Sequence, residues 1–257
     1  MIQKIFPYIE VMRPGLMVLS IVASVCLLIY SNNFIFPKSI LIVLTIVSFN
    51  TFFNMCNELL DEDTDRIIKP HKPIPSGRVN RDIVKFLMFF MFLIGFTSLI
   101  LLVYYYGIYY LILGCMGLFG GFIYNVFREK GLIGNFALGM TYFSAAMMSS
   151  NDLVFSVGFG SLTMAFNVAV QIEDVYGDLL ANINTLPIEF DINFSKIFSI
   201  FLAVISFFFL SKYGVFFTLC PILVILSVII DKKVVYKVLL RYICRIFMLC
   251  GFLCLVI

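Results

Sequence analysis

The stretch KSILIVLTIVSFNTFFNMCNELLDEDTD, residues 38–65, joins a long apolar run to a dense group of acids. Its first twenty residues carry a single charge, at Lys38. A helix of about 20 apolar residues crosses the hydrocarbon core of a bilayer. Carboxylates close to lipid are costly and seldom occur there without a role. The stretch therefore predicts a membrane-spanning helix that ends in a functional site.

The rest of the chain has the same apolar character. Of 257 residues, 62% are apolar and 13% charged, whereas soluble domains average roughly 45–50% and 25%. Only helices and closed barrels satisfy backbone polar groups in lipid, and barrel strands would alternate in polarity. We predict an all-α, polytopic membrane protein, a single domain over residues 1–257 with nine transmembrane helices in a bundle around a central cavity. The nine segments are 15–31, 38–57, 83–105, 107–126, 132–150, 153–173, 195–211, 213–230 and 238–257.

The basic residues predict how these helices are oriented. Cytoplasmic loops of membrane proteins are enriched in Lys and Arg. With the N-terminus inside, alternation over nine spans leaves only Lys38 and Lys212 outside, of 18 Lys and Arg. We therefore expect a multi-pass protein of the cell membrane with a cytoplasmic N-terminus and an external C-terminus. The two longest loops, 58–82 and 174–194, are then cytoplasmic.

A second acidic cluster, EDVYGD at residues 173–178, follows the sixth apolar segment as the first cluster follows the second segment. In each cluster oxygen-bearing side chains recur every four residues, and residues i and i+4 lie on one face of a helix. The sequence therefore predicts two ladders of oxygen atoms. They consist of Asn57, Asp61 and Asp65 in the first cluster and of Asp174 and Asp178 in the second.

The ladders predict a site for divalent metal ions. Magnesium prefers oxygen ligands and typically takes one or two carboxylates together with waters and substrate phosphates. Two ladders on one cavity can thus hold a diphosphate through bridging ions, with the active site on the cytoplasmic side. Glu62 and Asp63 lie off the ladder face, and we expect both to be solvated. The cations expected to take the remaining phosphate charge are Lys72, Arg78, Arg128 and Lys130.

At these residues the chain resembles a known family. Asn57-x-x-x-Asp61-x-x-x-Asp65, followed by KPIPSGR at residues 72–78, resembles the first signature of the UbiA family of intramembrane prenyltransferases. Asp174-x-x-x-Asp178, followed by TLP at residues 185–187, resembles the second. The resemblance covers essentially the whole chain. The chain departs from the usual pattern at Glu58, Lys72 and Gln171, where Asp, Arg and an acid are common.

The resemblance implies an enzyme that transfers alkyl groups other than methyl. An isoprenyl diphosphate would be the donor, with two magnesium ions, one per motif, on its diphosphate. The allylic cation left behind would be captured by a lipophilic acceptor in the bilayer. By position, Asn57, Asp61 and Asp65 would serve one ion, Asp174 and Asp178 the other, and Arg128 or Lys130 would contact the diphosphate.

Some of the same residues also bear on the identity of the acceptor. Residues 172–178 and 185–188 resemble the archaeal ether-lipid branch of the family, which implies transfer of geranylgeranyl to geranylgeranylglyceryl phosphate. Prenylation of an aromatic acceptor, as in quinone or chlorophyll synthesis, is the alternative. A transporter coupled to ions is a remote one, since it predicts carboxylates near the bilayer midplane rather than at helix ends. Nucleic acid is not an expected partner, because the basic residues form no continuous stripe.

Overall fold

The computed structural model describes residues 2–127, 131–180, 183–230 and 234–256, with their side chains except those of 2–4, 234–239 and 241. Within these ranges every regular element is a helix, which confirms the all-α prediction. The chain forms two compact units. The first is Met1–Ser24 with Ile35–Ile112, and the second is Val25–Phe34 with Leu113–Ile257.

A helix occupies each of the nine predicted segments within the described residues, and three shorter helices lie between or before them. In chain order the helices are α1 (Ile2–Val11), α2 (Pro14–Tyr30), α3 (Lys38–Leu60), α4 (Glu62–Ile68), α5 (Arg81–Tyr106), α6 (Ile108–Phe127), α7 (Gly131–Ser150), α8 (Leu153–Leu180), α9 (Leu186–Glu189), α10 (Ile192–Leu210), α11 (Val215–Ile229) and α12 (Val234–Cys254). A 3₁₀ turn, Ser211–Tyr213, follows α10.

Five helices in the described chain are long and apolar enough to cross a membrane. They are α3, α5, α6, α8 and the segment Ile192–Tyr213. A sixth span is possible where two helices meet at an angle of 55°. They are Ile5–Val11 and Pro14–Tyr30, and together they would form one broken span. Val215–Ile229 and Tyr242–Cys254 are shorter apolar helices. The protein is therefore a multi-pass membrane protein with five to six spans identified by length and composition.

In the first unit α3 packs against α5 through aromatic rings. The ring centroid of Phe92 lies 6.1 Å from that of Phe49 and 5.3 Å from that of Phe52. Gly95 permits this approach, because a Cβ there would lie 2.8 Å from the Phe49 ring. A buried core at the acidic end of α3 then fixes α1 and the loop after α4. It consists of Val11, Met55, Ile74, Val79 and Val84.

In the second unit α8 packs against both α7 and α10. The α7 and α8 backbones approach closely, since a Cβ on Gly160 would lie 3.0 Å from the carbonyl oxygen of Gly139. On the α10 side Ser199 Oγ donates a hydrogen bond to the Ala165 carbonyl at 2.9 Å. Aromatic rings in mutual contact fill the core at the N-terminal end of α8. They belong to Phe155, Phe159, Tyr213, Phe217 and Phe252.

Asp152 immediately precedes the first residue of α8, close to these rings. One carboxylate oxygen accepts a hydrogen bond from the backbone N–H of Phe155 at 3.1 Å, and the other accepts from the Tyr213 hydroxyl. Burial alone would favour the neutral carboxyl. The hydrogen bonds from Tyr213 and the backbone, together with the nearby charge of Lys212, outweigh it and lower the pKa of Asp152 below its ordinary value of 3.8.

The depressed pKa predicts how stability depends on pH. A carboxylate whose pKa is lower in the folded state adds stability above its unfolded pKa, and this is lost as the pH falls through the folded pKa. Tyr213→Phe should therefore lower the free energy of unfolding by about 1–2 kcal/mol near neutral pH, and by less below pH 3.8. Thermal melting of the solubilised protein across this range measures the effect. Tyr104→Phe, at an exposed ring, is the control, and an unchanged gap between wild type and Tyr213→Phe at all pH values would contradict the assignment.

Candidate active site

The first acidic motif lies where α3 passes into α4. α3 ends at Leu60, and Asp61 stands at the junction with near-helical backbone angles. Its N–H donates to the Asn57 carbonyl at 2.9 Å, and the Asp65 N–H donates to the Asp61 carbonyl at 2.7 Å. The i to i+4 hydrogen bonds thus continue through the break. Asn57, Asp61 and Asp65 accordingly occupy successive turns, as the spacing predicted.

The side-chain oxygen of Asn57 is an unusual hydrogen-bond acceptor. It is buried and has no hydrogen-bond partner in the described structure. A buried acceptor without a partner costs about 1–3 kcal/mol, so its retention in a ladder of oxygen side chains fits a ligand that binds there. A hard cation is such a ligand, because it accepts electron pairs from amide and carboxylate oxygens alike.

Glu58 is the centre of an ion-pair network that the spacing did not predict. Its side chain is almost fully buried at 5% exposure. Arg13, at the bend between α1 and α2, places Nε 2.9 Å from Glu58 Oε1, and Lys72 places Nζ 3.2 Å from the same oxygen. A buried carboxylate needs such partners because its desolvation is expensive. The resemblance had pointed to position 58 only as a departure from the usual family pattern.

Lys72, itself a predicted site residue, also contacts another one, Asp65. Its Nζ lies 2.6 Å from Oδ2 of Asp65, a side chain that is itself buried. The loop that carries Lys72 is a succession of tight turns. The Ser76 N–H donates to the Lys72 carbonyl at 3.0 Å, and the Arg78 N–H donates to the Pro73 carbonyl at 3.0 Å. The lysine stem is therefore anchored on a well-defined backbone beside the first motif.

Arg78 is held by other partners. Its guanidinium lies 3.1 Å from a carboxylate oxygen of Glu10 on α1 and donates to the His71 carbonyl at 2.6 Å. Tyr8, also on α1, accepts a hydrogen bond from the Asn80 N–H at 3.0 Å. In this state Arg78 fastens the loop to α1.

The prediction for Glu62 is wrong. Glu62 is buried at 5% exposure, whereas Asp63 is exposed as expected. Arg66 donates to Glu62 Oε1 at 2.7 Å, and Arg81 Nε lies 3.0 Å from Oε2, close enough for an ion pair though its N–H is not aligned for a hydrogen bond. Helical spacing within α3 and α4 does not contain this partner, because Arg81 comes from the start of α5.

The second motif lies on the last turns of α8 and not beyond its end. α8 continues to Leu180, well past the predicted boundary at residue 173. Asp174 and Asp178 are therefore successive positions on one helical face. Oδ2 of Asp178 accepts a hydrogen bond from the Thr185 hydroxyl at 3.0 Å, and the Asp178 carbonyl accepts from the Ile183 N–H at 2.9 Å. The residues before α9 thus hold the end of the motif.

The start of α7 packs tightly against this loop. A Cβ on Gly131 would lie 2.2 Å from the Leu186 backbone nitrogen, next to Thr185. Only glycine allows so close an approach of two backbones. The two cations predicted to contact the diphosphate here, Arg128 and Lys130, lie outside the described residues.

Three amide side chains join α7 to α8 one to two turns before the second motif. Asn135 is fully buried and donates to the Gln171 side-chain oxygen at 3.2 Å, and it accepts from Asn167 at 2.8 Å. We did not predict this network. Its signal was present, because polar side chains inside apolar segments usually face a partner or a cavity.

Each motif thus offers a few oxygen ligands in place of a complete metal cage. Among the described residues, no group of three or more His, Cys, Asp and Glu side chains is placed to hold a metal ion. Magnesium suits such a site, because it keeps waters and binds substrate phosphates while taking only one or two carboxylates. Lys72 adds positive charge beside the first motif. The fold and these residues define a helical membrane protein with two clusters of oxygen-bearing side chains at the ends of apolar helices.

Known proteins agree with this class. The UbiA prenyltransferase family model matches residues 17–241. Digeranylgeranylglyceryl phosphate synthase of Methanobrevibacter smithii is 28% identical over 233 residues, which cover 85% of this chain and 78% of that one. The chain therefore belongs to the UbiA prenyltransferase family, and it is a membrane prenyltransferase.

Solved structures share the fold. One, described as digeranylgeranylglyceryl phosphate synthase in membranes, matches with a TM-score of 0.71 and 22% identity over 98% of this chain and 99% of that chain. Another, a UbiA homolog from Archaeoglobus fulgidus bound to GPP and Mg²⁺, matches with a TM-score of 0.70 and 12% identity over 97% of this chain and 99% of that chain.

Because Glu62 is buried, removing its carboxylate and removing its two arginine partners should lower stability by different amounts. Removing the carboxylate with Glu62→Gln leaves Arg66 and Arg81, both more than half exposed, free to rehydrate. Replacing both arginines by Met leaves a buried carboxylate without a cation, which should cost about 3 kcal/mol or more. The double arginine variant should therefore melt well below Glu62→Gln in thermal unfolding of the solubilised protein. Asp63→Asn is the control, and equal losses in the two variants would show that Glu62 is not effectively buried.

Proposed function

We propose that this protein transfers an isoprenyl group, geranylgeranyl, from its diphosphate to the hydroxyl of geranylgeranylglyceryl phosphate. The observation that carries the donor chemistry is the first motif, where helical spacing aligns Asn57, Asp61 and Asp65 and leaves a buried amide oxygen without a partner. Lys72 stands beside it with an ammonium group near two buried carboxylates. Oxygen ligands and a mobile cation at one place suit a diphosphate and its metal.

Asn57, Asp61 and Asp65 would hold one magnesium ion, and Asp174 and Asp178 a second, both on the donor diphosphate. Bound magnesium would supply Lewis-acid stabilisation of the charge that develops on the leaving diphosphate. The chain's own residues orient these ligands. Thr185 fixes one oxygen of Asp178 by its hydrogen bond at 3.0 Å. The cations proposed for the phosphate oxygens are Lys72, Arg78, Arg128 and Lys130.

The acceptor rests on similarity. Digeranylgeranylglyceryl phosphate synthase of Methanobrevibacter smithii matches most of both chains. The bond from the allylic carbon to the diphosphate oxygen would break first, with diphosphate leaving with the electron pair. The hydroxyl oxygen of geranylgeranylglyceryl phosphate would then form the ether bond to the allylic cation, and its proton would pass to the departing diphosphate. The apolar helices that bind the bilayer would keep both isoprenyl chains and the cation away from water.

The membrane arrangement is part of this proposal. The nine apolar segments support nine spans, and the apolar composition supports a single functional domain over residues 1–257. The distribution of Lys and Arg supports a cytoplasmic N-terminus and active site and an external C-terminus. Phosphorylated donor and acceptor head groups are then supplied from the cytoplasm.

The metal ligands are tested by substitution. Asp61→Ala and Asp174→Ala should each lower magnesium-dependent transfer at least about 100-fold, because each removes an oxygen that stabilises leaving-group charge. Turnover of labelled geranylgeranyl diphosphate by purified protein measures this, and chelation of magnesium should abolish the wild-type rate. Asp63→Asn, at an exposed carboxylate in the same motif, should keep the wild-type rate. Retained turnover in either alanine variant with a wild-type melting temperature would refute the assignment.

The acceptor is tested by competition. Purified protein in vesicles should transfer labelled geranylgeranyl to geranylgeranylglyceryl phosphate and not to an aromatic acid or a chlorophyllide. Separation of the lipid products by chromatography identifies the acceptor. Product formed only with an aromatic acceptor would reject the ether-lipid assignment while leaving the donor chemistry intact.

A further inference from the structure

Lys72 lies against two buried carboxylates, and the two differ in whether a second cation contacts them. Its Nζ lies 2.6 Å from Asp65 Oδ2 and 3.2 Å from Glu58 Oε1. Glu58 has a second cation in Arg13. Among the described residues Lys72 is the one cation that contacts Asp65. Loss of Lys72 would therefore leave Glu58 paired and Asp65 without a counter-charge.

The charges within this group are balanced. Glu58 and Asp65 contribute two negative charges, and Arg13 and Lys72 contribute two positive ones. A divalent cation added to a balanced, buried group raises its net charge, which is costly where the dielectric constant is low. A diphosphate that arrives with the cation brings negative charge that offsets this rise.

The Lys72 side chain can change partners without a change in the backbone. Its carbonyl accepts hydrogen bonds from the Ser76 N–H at 3.0 Å and the Ser76 hydroxyl at 2.6 Å, so the loop backbone is fixed. The four-carbon stem remains flexible, and an ammonium group binds phosphate as a point charge from many directions. The side chain is also partly open to solvent, at 21% exposure.

We propose that Lys72 acts as a stand-in cation on Asp65, so that Asp65 becomes a metal ligand only when a diphosphate draws the ammonium away. Lys72 is then a positioning residue that makes magnesium and diphosphate bind together. The inference rests on the proposed donor site. Each ligand must strengthen the binding of the other by the same factor, because coupling between two sites is reciprocal.

The experiment titrates magnesium into donor-free, solubilised protein by calorimetry, with and without saturating inorganic pyrophosphate. Wild type should bind magnesium weakly in the absence of pyrophosphate. Its affinity for magnesium should rise by about tenfold or more when pyrophosphate is present. Lys72→Gln should bind magnesium alone about tenfold more tightly than wild type and should lose most of the tightening by pyrophosphate. Lys69→Gln is the matched control, since Lys69 is an exposed lysine of the same loop with no ion pair to Asp65. It should behave as wild type.

A second variant covers the case in which Lys72→Gln does not fold. Glu58→Gln removes the other partner of Lys72, so the ammonium is held by Asp65 alone and magnesium alone should bind more weakly than to wild type. The tightening by pyrophosphate should persist. Magnesium binding to Glu58→Gln that equals or exceeds wild type would contradict the inference.

The outcomes separate this inference from the proposed function. If wild type binds magnesium with pyrophosphate but Lys72→Gln shows wild-type affinity and wild-type coupling, the role of Lys72 is wrong and the donor site stands. If wild type binds no magnesium even with pyrophosphate, the donor site itself fails and the inference falls with it. Arginine in Lys72→Arg keeps the charge, and it should retain the coupling.

Discussion

The cost of placing carboxylates at the ends of apolar helices governs the architecture of both motifs. At the first motif the cost is met with cations, because Glu58, Asp65 and Glu62 are all nearly buried and each lies against Lys or Arg. Those cations come from elements far apart in the chain: the bend after α1, the loop after α4 and the start of α5. The charges therefore determine how the short helices and the loop arrange themselves around α3. The apolar core of Val11, Met55 and Ile74 then fills the space beneath them.

Neutral groups are among the partners at and near the second motif. The Thr185 hydroxyl binds Asp178, and the amides of Asn135, Asn167 and Gln171 form their own network within the helix pair. A hydroxyl or an amide orients a carboxylate without cancelling its charge, whereas an ion pair cancels it. The Thr185 hydroxyl therefore orients Asp178, and the Lys72 ammonium neutralises Asp65.

Spacing and composition were enough to predict the all-α membrane fold, the helical register of both ladders and the family. These properties are local, because a run of apolar residues and an i to i+4 repeat are read from one segment at a time. Partners were not predictable in the same way. Arg13 reaches Glu58 across 45 residues and Arg81 reaches Glu62 from the next long helix, so their pairing depends on packing that no single segment contains. The error at Glu62 has this origin. The length of α8 was misjudged for a related reason, since the hydropathy of residues 174–180 falls while their helical hydrogen bonds persist.

The contact between Gly131 and Leu186 has a consequence for how the family can vary. The start of α7 and the residues that hold Asp178 share one backbone contact with no space for a side chain. A relative that gains a side chain at position 131 must therefore rebuild the loop before α9, and with it the hydroxyl that orients Asp178. Substitutions at these separate places should arise together across lineages. Co-variation between position 131 and residues 183–187 would mark this contact in a set of related sequences.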